Sequence, residues 1–288
     1  MSMYNPMRAL VKDDIEKAVR FALDEDIGSG DVTTLATVPE TAQSAGLIVA
    51  RESLVLAGVE FAETAFRQLS SSIELHRMAQ DGQKLNKGQT ILAISGSTRA
   101  ILSAERIALN FLQRLSGVAT ISAQFVEAVK GTNAVILDTR KTTPGWRAFE
   151  KYAVHCGGAT NHRIGLFDQV LIKDNHLAFL EHELPSAVES AVKRCRKQFP
   201  NLKVEVEADT LFQVQEAIKA GADIVLLDNM KIEEMRTAVE WARGKIKTEA
   251  SGGVNLSTVR AIAETGVDFI SVGALTHSAP AVDIALDF

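Results

Sequence analysis

Cations stand where short apolar runs give way to polar residues. Arg140 and Lys141 follow the run Ala134–Leu137, Lys173 follows Gln169–Ile172, and Arg163 lies between these two runs beside His162. Arginine suits bidentate contact with carboxylate or phosphate, and lysine supplies a compact charge. Any one of these cations taken alone can pair with a nearby acid. Two adjacent cations repel each other and call for anions, so the set predicts a basic pocket in a chain of formal net charge -5. Carboxylates end two further runs, Glu207 after Val204–Val206 and Asp228 after Ile224–Leu227. Such groups accept hydrogen bonds from sugar hydroxyls or hold a divalent cation through oxygen, unless they are simply solvated acids. The runs Thr248–Ala250 and Phe269–Val272 end in Ser251-Gly252-Gly253 and Gly273-Ala274, with His277 just beyond. Glycine lets backbone N–H groups approach an anion, and a helix start beyond it adds positive potential. Tight turns use the same residues.

These side chains need elements that bring them together. Between the apolar runs lie helical patterns over Thr210–Lys219, Ile232–Arg243 and Leu256–Glu264. Strand and helix in alternation imply parallel pairing, and in such folds the C-terminal strand ends converge on one face. Six polar strand endings in series therefore predict a functional face. A closed or nearly closed α/β barrel fits better than an open sheet. Gly221 and Gly266 each sit where a helix should end and the next strand begin.

Before residue 118 the pattern is mixed. Asp13, with Glu16 three residues on, reads as the cap of a helix whose apolar stripe is Ile15, Ala18, Val19, Ala22 and Leu23, stopped by Gly28-Ser29-Gly30-Asp31. Leu47–Arg51 and Ile91–Ser95 read as strands. An amphipathic helix is expected from Ser103 to Leu115, with Gly117 at its end. Asp81–Ile94 reads as strand, turn and strand. It superficially resembles a biotinyl or lipoyl carrier hairpin, but Lys84 and Lys87 lack the context of a modified lysine.

Composition narrows the function. With 46% hydrophobic and 23% charged residues, the chain is an ordinary globular protein. Its acidic balance argues against nucleic acid as the main partner. No apolar run is long enough to span a bilayer, and Met1 to Asp14 has no apolar leader core, so no membrane partner is expected. Two cysteines, Cys156 and Cys195, form no disulfide framework, and a cytoplasmic protein is expected. His155, Cys156 and His162 fit no standard zinc spacing, and His162 reads better as a donor in the site. Lys173 beside Asp174 leaves open a Schiff-base aldolase.

A set of motifs in order along the chain is more specific than any of these. They are Ala22–Thr34 (ALDEDIGSGDVTT), Glu105–Gly117 (ERIALNFLQRLSG), Asp138–Gly145 (DTRKTTPG), Gly158–Leu166 (GATNHRIGL), Ile172–His176 (IKDNH), Val204–Glu207 (VEVE), Leu227–Asn229 (LDN) and Glu249–Gly253 (EASGG). With these, the chain resembles the quinolinate phosphoribosyltransferase family from about residue 10 to its end.

The resemblance implies an N-terminal α/β sandwich over residues 1–117, completed by 276–288, and an incomplete TIM-like α/β barrel over 118–275. It implies transfer of a phosphoribosyl group from phosphoribosyl pyrophosphate to quinolinate, with loss of pyrophosphate and carbon dioxide. By position, Arg106, Arg140, His162 and Arg163 would grip the quinolinate carboxylates, with Thr139, Lys141 and Lys173 nearby. Glu207 and Asp228 would bind ribose hydroxyls and help place Mg²⁺, partly through substrate. Ser251, Gly253 and Gly273 would hold the 5′-phosphate, with Ala274 and His277 beside it. Lys141, Lys173, Glu207 and Asp228 are the expected catalytic set. No organic cofactor is implied. A homodimer is implied, in which Arg106 reaches the neighbouring active site.

Overall fold

The computed structural model describes residues 10–288, so the leader reading for residues 1–9 lies outside the described residues. The chain divides into two compact units.

One unit holds the described residues up to Ala123, with Thr143–Gly158 and Ser278–Phe288. It carries α1 (Lys12–Ile27), α2 (Val32–Thr37), β1 (Gln43–Ala50), β2 (Leu54–Val55), α3 (Val59–Leu69), β3 (Glu74–Arg77), β4 (Lys84–Leu85), β5 (Thr90–Ser97) and most of α4 (Thr98–Ala128). The stripe on α1 buries Ile15, Val19 and Leu23. Its N-cap is Val11, which makes no side-chain cap, and Asp13 falls inside the first turn, where its charge still suits the helix dipole. Its C-cap is Gly28, at φ 54°.

The segment 81–94 is not a hairpin. β4 pairs with β2, and β5 pairs with β1 and β3. The carrier reading therefore lacks its scaffold. The antiparallel sheet runs β12-β1-β5-β3, so the last strand, β12 (Ile284–Asp287), lies against β1.

Helix α4 does not stop at Gly117. It spans 31 residues, and a Cβ on Gly117 would lie 2.0 Å from the Pro280 carbonyl oxygen. This glycine serves a close backbone approach within a helix rather than a cap.

The other unit comprises Gln124–Thr142 and Ala159–His277. Its strands are β6 (Val135–Leu137), β7 (Val170–Ile172), β8 (Val204–Ala208), β9 (Ile224–Asp228), β10 (Lys247–Ser251) and β11 (Phe269–Ser271). Between or beyond them come α6 (Asp174–Ala178), α7 (Ala187–Gln198), α8 (Leu211–Ala220), α9 (Ile232–Ala242), α10 (Val259–Ala263) and α11 (Ala274–His277). Helix α5 (Arg147–Cys156) belongs to the first unit, although it lies between β6 and β7 in sequence.

The six strands form one sheet in the order β6-β11-β10-β9-β8-β7, with every pairing parallel. β6 and β7 are its two edges, so the barrel is incomplete and a closed ring is excluded. Helix α8 starts on a capping box, Thr210 with Gln213, and ends at Gly221 in the left-handed region. Helix α10 is shorter than the expected Leu256–Glu264. Among the described residues no helix is long and apolar enough to cross a membrane.

Candidate active site

A cavity of about 840 Å³ opens where the strands of the parallel sheet end. Thr139, Arg140 and Lys141 reach it from beyond β6, and Lys173 from beyond β7. Both edge strands thus serve one hollow, as a sheet curled into a partial barrel requires. Glu207 and Asp228 line it from the ends of β8 and β9, Ser251, Gly252 and Gly253 from β10, and Gly273, Ala274 and His277 from beyond β11. His162 and Arg163 line it from the loop before β7. Thirteen of the fourteen residues expected from sequence therefore share one cavity. The exception is Arg106, an exposed residue of α4 in the other unit, which is not among the lining residues.

Arg140, Lys141 and Arg163 gather on the side of the β6 and β7 loops. Arg163 is buried, and burial together with the charge of Arg140 holds its guanidinium below the ordinary range. Lys173 pairs with Glu207 across the ends of β7 and β8. A half-exposed amine engaged by a carboxylate is a poor Schiff-base nucleophile, which removes the main support for the aldolase reading. At the N-cap of α6 the Lys173 N–H donates to Nδ1 of His176, so that histidine caps the loop.

The glycines are where backbone must come close. A Cβ on Gly252, at φ +94°, would lie 2.1 Å from Oδ1 of Asn229. Asn229 is itself in the left-handed region at φ 53° and donates from Nδ2 to Asp228 at 2.8 Å. A Cβ on Gly273 would lie 3.1 Å from the His277 ring and 3.2 Å from Cδ of Lys141. Side chains at either position would crowd groups that line the cavity.

Residues 31–116 match the N-terminal domain of quinolinate phosphoribosyl transferase, and residues 118–287 match its C-terminal domain. The chain belongs to the quinolinate phosphoribosyl transferase family. A Bacillus subtilis (strain 168) protein named probable nicotinate-nucleotide pyrophosphorylase (carboxylating) is 40% identical over 274 residues, covering 95% of this chain and 93% of its own. A Mycobacterium leprae protein named nicotinate-nucleotide pyrophosphorylase (carboxylating) is 41% identical over 282 residues, covering 96% and 97%. The solved nicotinate-nucleotide pyrophosphorylase from Francisella tularensis superposes with a TM-score of 0.93 at 41% identity, covering 99% of each chain.

At the wall of the cavity of this family member lies a cluster of which the sequence pointed only to His162; Glu249 and Ser271 also line the cavity, and Glu205 and Gln169 lie behind them. Glu205 and Glu249 are fully buried, and His162 Nε2 lies 3.3 Å from Glu205 Oε2 and 3.4 Å from Glu249 Oε1. Gln169 Nε2 donates to Glu205 at 2.8 Å, and the Ser271 hydroxyl donates to Glu249. Among the described residues this is the one group of histidine and acids whose ligand atoms converge. Glu205 Oε2 and Glu249 Oε1 already accept side-chain donors.

Two influences oppose each other on His162. Burial disfavours the imidazolium, but Glu249 and Glu205 outweigh it and pull the ring upward, to about 10. Yet the Arg163 amide donates to Nδ1 at 2.7 Å, which leaves that nitrogen no proton. The hydrogen bond decides, since a second ring proton would meet a donor head-on. The ring then carries its proton on Nε2, the nitrogen that faces both carboxylates. Burial and the charge of Glu249 push Glu205 up to about 7. The detectable signal was the alternation Val204-Glu205-Val206-Glu207, which aims two acids at one face of a buried strand.

Proposed function

We propose that this chain transfers the phosphoribosyl group of phosphoribosyl pyrophosphate to the ring nitrogen of quinolinate and releases pyrophosphate and carbon dioxide, giving nicotinate mononucleotide for de novo NAD synthesis. One observation carries the reading: Arg140, Lys141, Arg163 and Lys173 line one cavity that also holds Glu207 and Asp228. Two substrates that are both anions repel each other in water. A cavity with cations on one side offsets that repulsion, and positioning alone can supply about 7–11 kcal/mol of the barrier.

Arg140 and Arg163 suit the two quinolinate carboxylates, because a guanidinium fork matches a carboxylate in its plane. Lys141 and Lys173 add compact charge. Glu207 and Asp228 accept from ribose hydroxyls. Carboxylate oxygens on adjacent strands also suit a hard divalent cation, so these two residues would hold Mg²⁺, in part through substrate. When bound, Mg²⁺ stabilises charge on the departing pyrophosphate. The backbone at Ser251, Gly253 and Gly273 faces the 5′-phosphate, with Ala274 and His277 beside it.

The ring nitrogen gives its lone pair to C1 of the ribose as the bond to pyrophosphate breaks. The nitrogen becomes cationic. The C2–carboxylate bond then breaks, its electron pair stays on C2 beside N⁺, and C2 takes up a proton. The substrate supplies its own electron sink, so the chemistry requires no organic cofactor.

A homodimer is part of this reading. Arg106 lies outside the cavity lining and is exposed, as a residue offered to a partner's site would be. A cytoplasmic location is read from Cys156 and Cys195, which are both free thiols.

Quinolinate labelled at the C2 carboxylate tests the reaction. With phosphoribosyl pyrophosphate and Mg²⁺ it should release labelled carbon dioxide and form nicotinate mononucleotide in equal amounts. Product from nicotinate without carbon dioxide release would instead point to a relative that acts on nicotinate and does not decarboxylate.

A further inference from the structure

Resting on that reading of the site, we infer that Glu205 is a positioning residue for quinolinate binding, acting on Arg163 from beneath the cavity. Glu205 is fully buried and does not line the cavity, so it touches no substrate. Arg163 is nevertheless held at both of its ends by groups that lead back to it. At the backbone end, the Arg163 amide donates to His162 Nδ1, and His162 Nε2 faces Glu205 Oε2 at 3.3 Å. At the guanidinium end, Nη1 donates to the Gln169 carbonyl at 3.2 Å, and the side chain of Gln169 donates to the same Oε2 at 2.8 Å. The four residues form one closed circuit, and all four are buried.

A circuit of this kind fixes geometry. Nη1 is committed to Gln169, so the remaining guanidinium N–H groups keep one orientation toward the cavity. Quinolinate recognition is directional, because an arginine fork must lie in the plane of the carboxylate it grips. An arginine free to choose rotamers would lose that preference and pay ordering entropy at each binding event. Phosphoribosyl pyrophosphate is assigned to other walls of the cavity, so loss of the circuit should separate the two substrates.

Both convergent donors meet Oε2, whereas Oε1 of Glu205 is buried without a partner. That asymmetry gives a conservative rescue. A glutamine can put its single oxygen where Oε2 lies and its NH₂ where nothing is accepted. Methionine has similar length but accepts almost nothing.

The test is steady-state kinetics on the full-length protein. E205M should raise the quinolinate KM about tenfold or more and leave the phosphoribosyl pyrophosphate KM within about twofold. E205Q should restore the quinolinate KM to within about threefold of wild type. In an R163A background the difference between E205M and E205Q should vanish, because residues in one network are not additive. If E205M does not fold, Q169L decides, since it keeps the carbonyl, removes the side-chain donor and should show the same split.

An unchanged quinolinate KM, equal rises in both KM values, an E205Q as impaired as E205M, or persistence of their difference without Arg163 would each overturn the assignment. Wild-type protein that neither binds nor converts quinolinate would overturn the reading of the site together with it. Wild-type turnover with an unshifted KM in the variants would overturn the role of Glu205 alone.

Discussion

Lys173 and Glu207 form an ion pair across the C-terminal ends of β7 and β8, at the rim of the cavity that both line. Each is assigned to a different substrate, Lys173 to quinolinate and Glu207 to the ribose. The pair must therefore loosen as the site fills. E207Q should leave quinolinate affinity intact or strengthen it severalfold when no second substrate is present, because Lys173 is released. The same variant should lower kcat/KM for phosphoribosyl pyrophosphate about 100-fold or more. Calorimetric titration with quinolinate, set beside steady-state kinetics, checks both halves. A fall in quinolinate affinity parallel to the loss of turnover would contradict this division.

Arg140 sits on the loop beyond β6 and lines the cavity. R140A should lower kcat/KM for quinolinate about 100- to 1,000-fold, as expected for removing one partner of a desolvated charge pair. The thermal midpoint should move by only a few degrees, about what a loss of 1 kcal/mol or less produces in a chain of this size. Kinetics and differential scanning fluorimetry on the same preparation separate the two effects.

Gly252 and Gly253 both have positive φ, but their surroundings differ. A Cβ on Gly252 would meet Asn229 Oδ1 at 2.1 Å, and a Cβ on Gly253 would meet nothing within 4 Å. Each alanine substitution incurs backbone strain of about 1–3 kcal/mol. G252A must also displace Asn229, which donates to Asp228. Urea unfolding should therefore show G252A as the more destabilised of the two. Equal midpoints would mean that Asn229 moves aside freely.

Asp31 accepts from the Thr34 amide at the start of α2 and from the Ser103 hydroxyl at 2.9 Å. Hydrogen bonds from Thr34, then from Ser103, hold its carboxyl below the ordinary value of 3.8. A depressed carboxyl contributes stability that is present above the unfolded value and lost as pH falls through the folded one. D31A should thus cost about 1 kcal/mol at neutral pH, the usual worth of an N-cap. That difference from wild type should shrink below pH 3.8. Urea titrations of both proteins at pH 7 and at pH 3 check the sign.

Much of the parallel unit was legible in the sequence, because each apolar run ended in a visible change of residue type. The rest depended on facts that lie far apart in the chain. Gly117 reads as a helix stop, yet α4 runs past it because the glycine makes room for the carbonyl of Pro280. The strand at Lys84–Leu85 pairs with Leu54–Val55 instead of with the strand that follows it, a choice no local pattern encodes. Val11 caps α1 in position only, so the acids at Asp13 and Asp14 act through the helix dipole. Glu205 and Glu249 lie inside the short strand runs Val204–Val206 and Thr248–Ala250, where a single acid does not stand out. The cost of their burial is offset by donors that His162, Gln169 and Ser271 supply from elsewhere in the chain.

The most direct measurement is a crystal structure of the protein with quinolinate bound. Both carboxylates should lie against Arg140 and Arg163, with the ring nitrogen turned toward the space between Glu207, Asp228 and the glycine loops. Quinolinate lodged outside this cavity, or with its carboxylates turned away from both arginines, would contradict this placement.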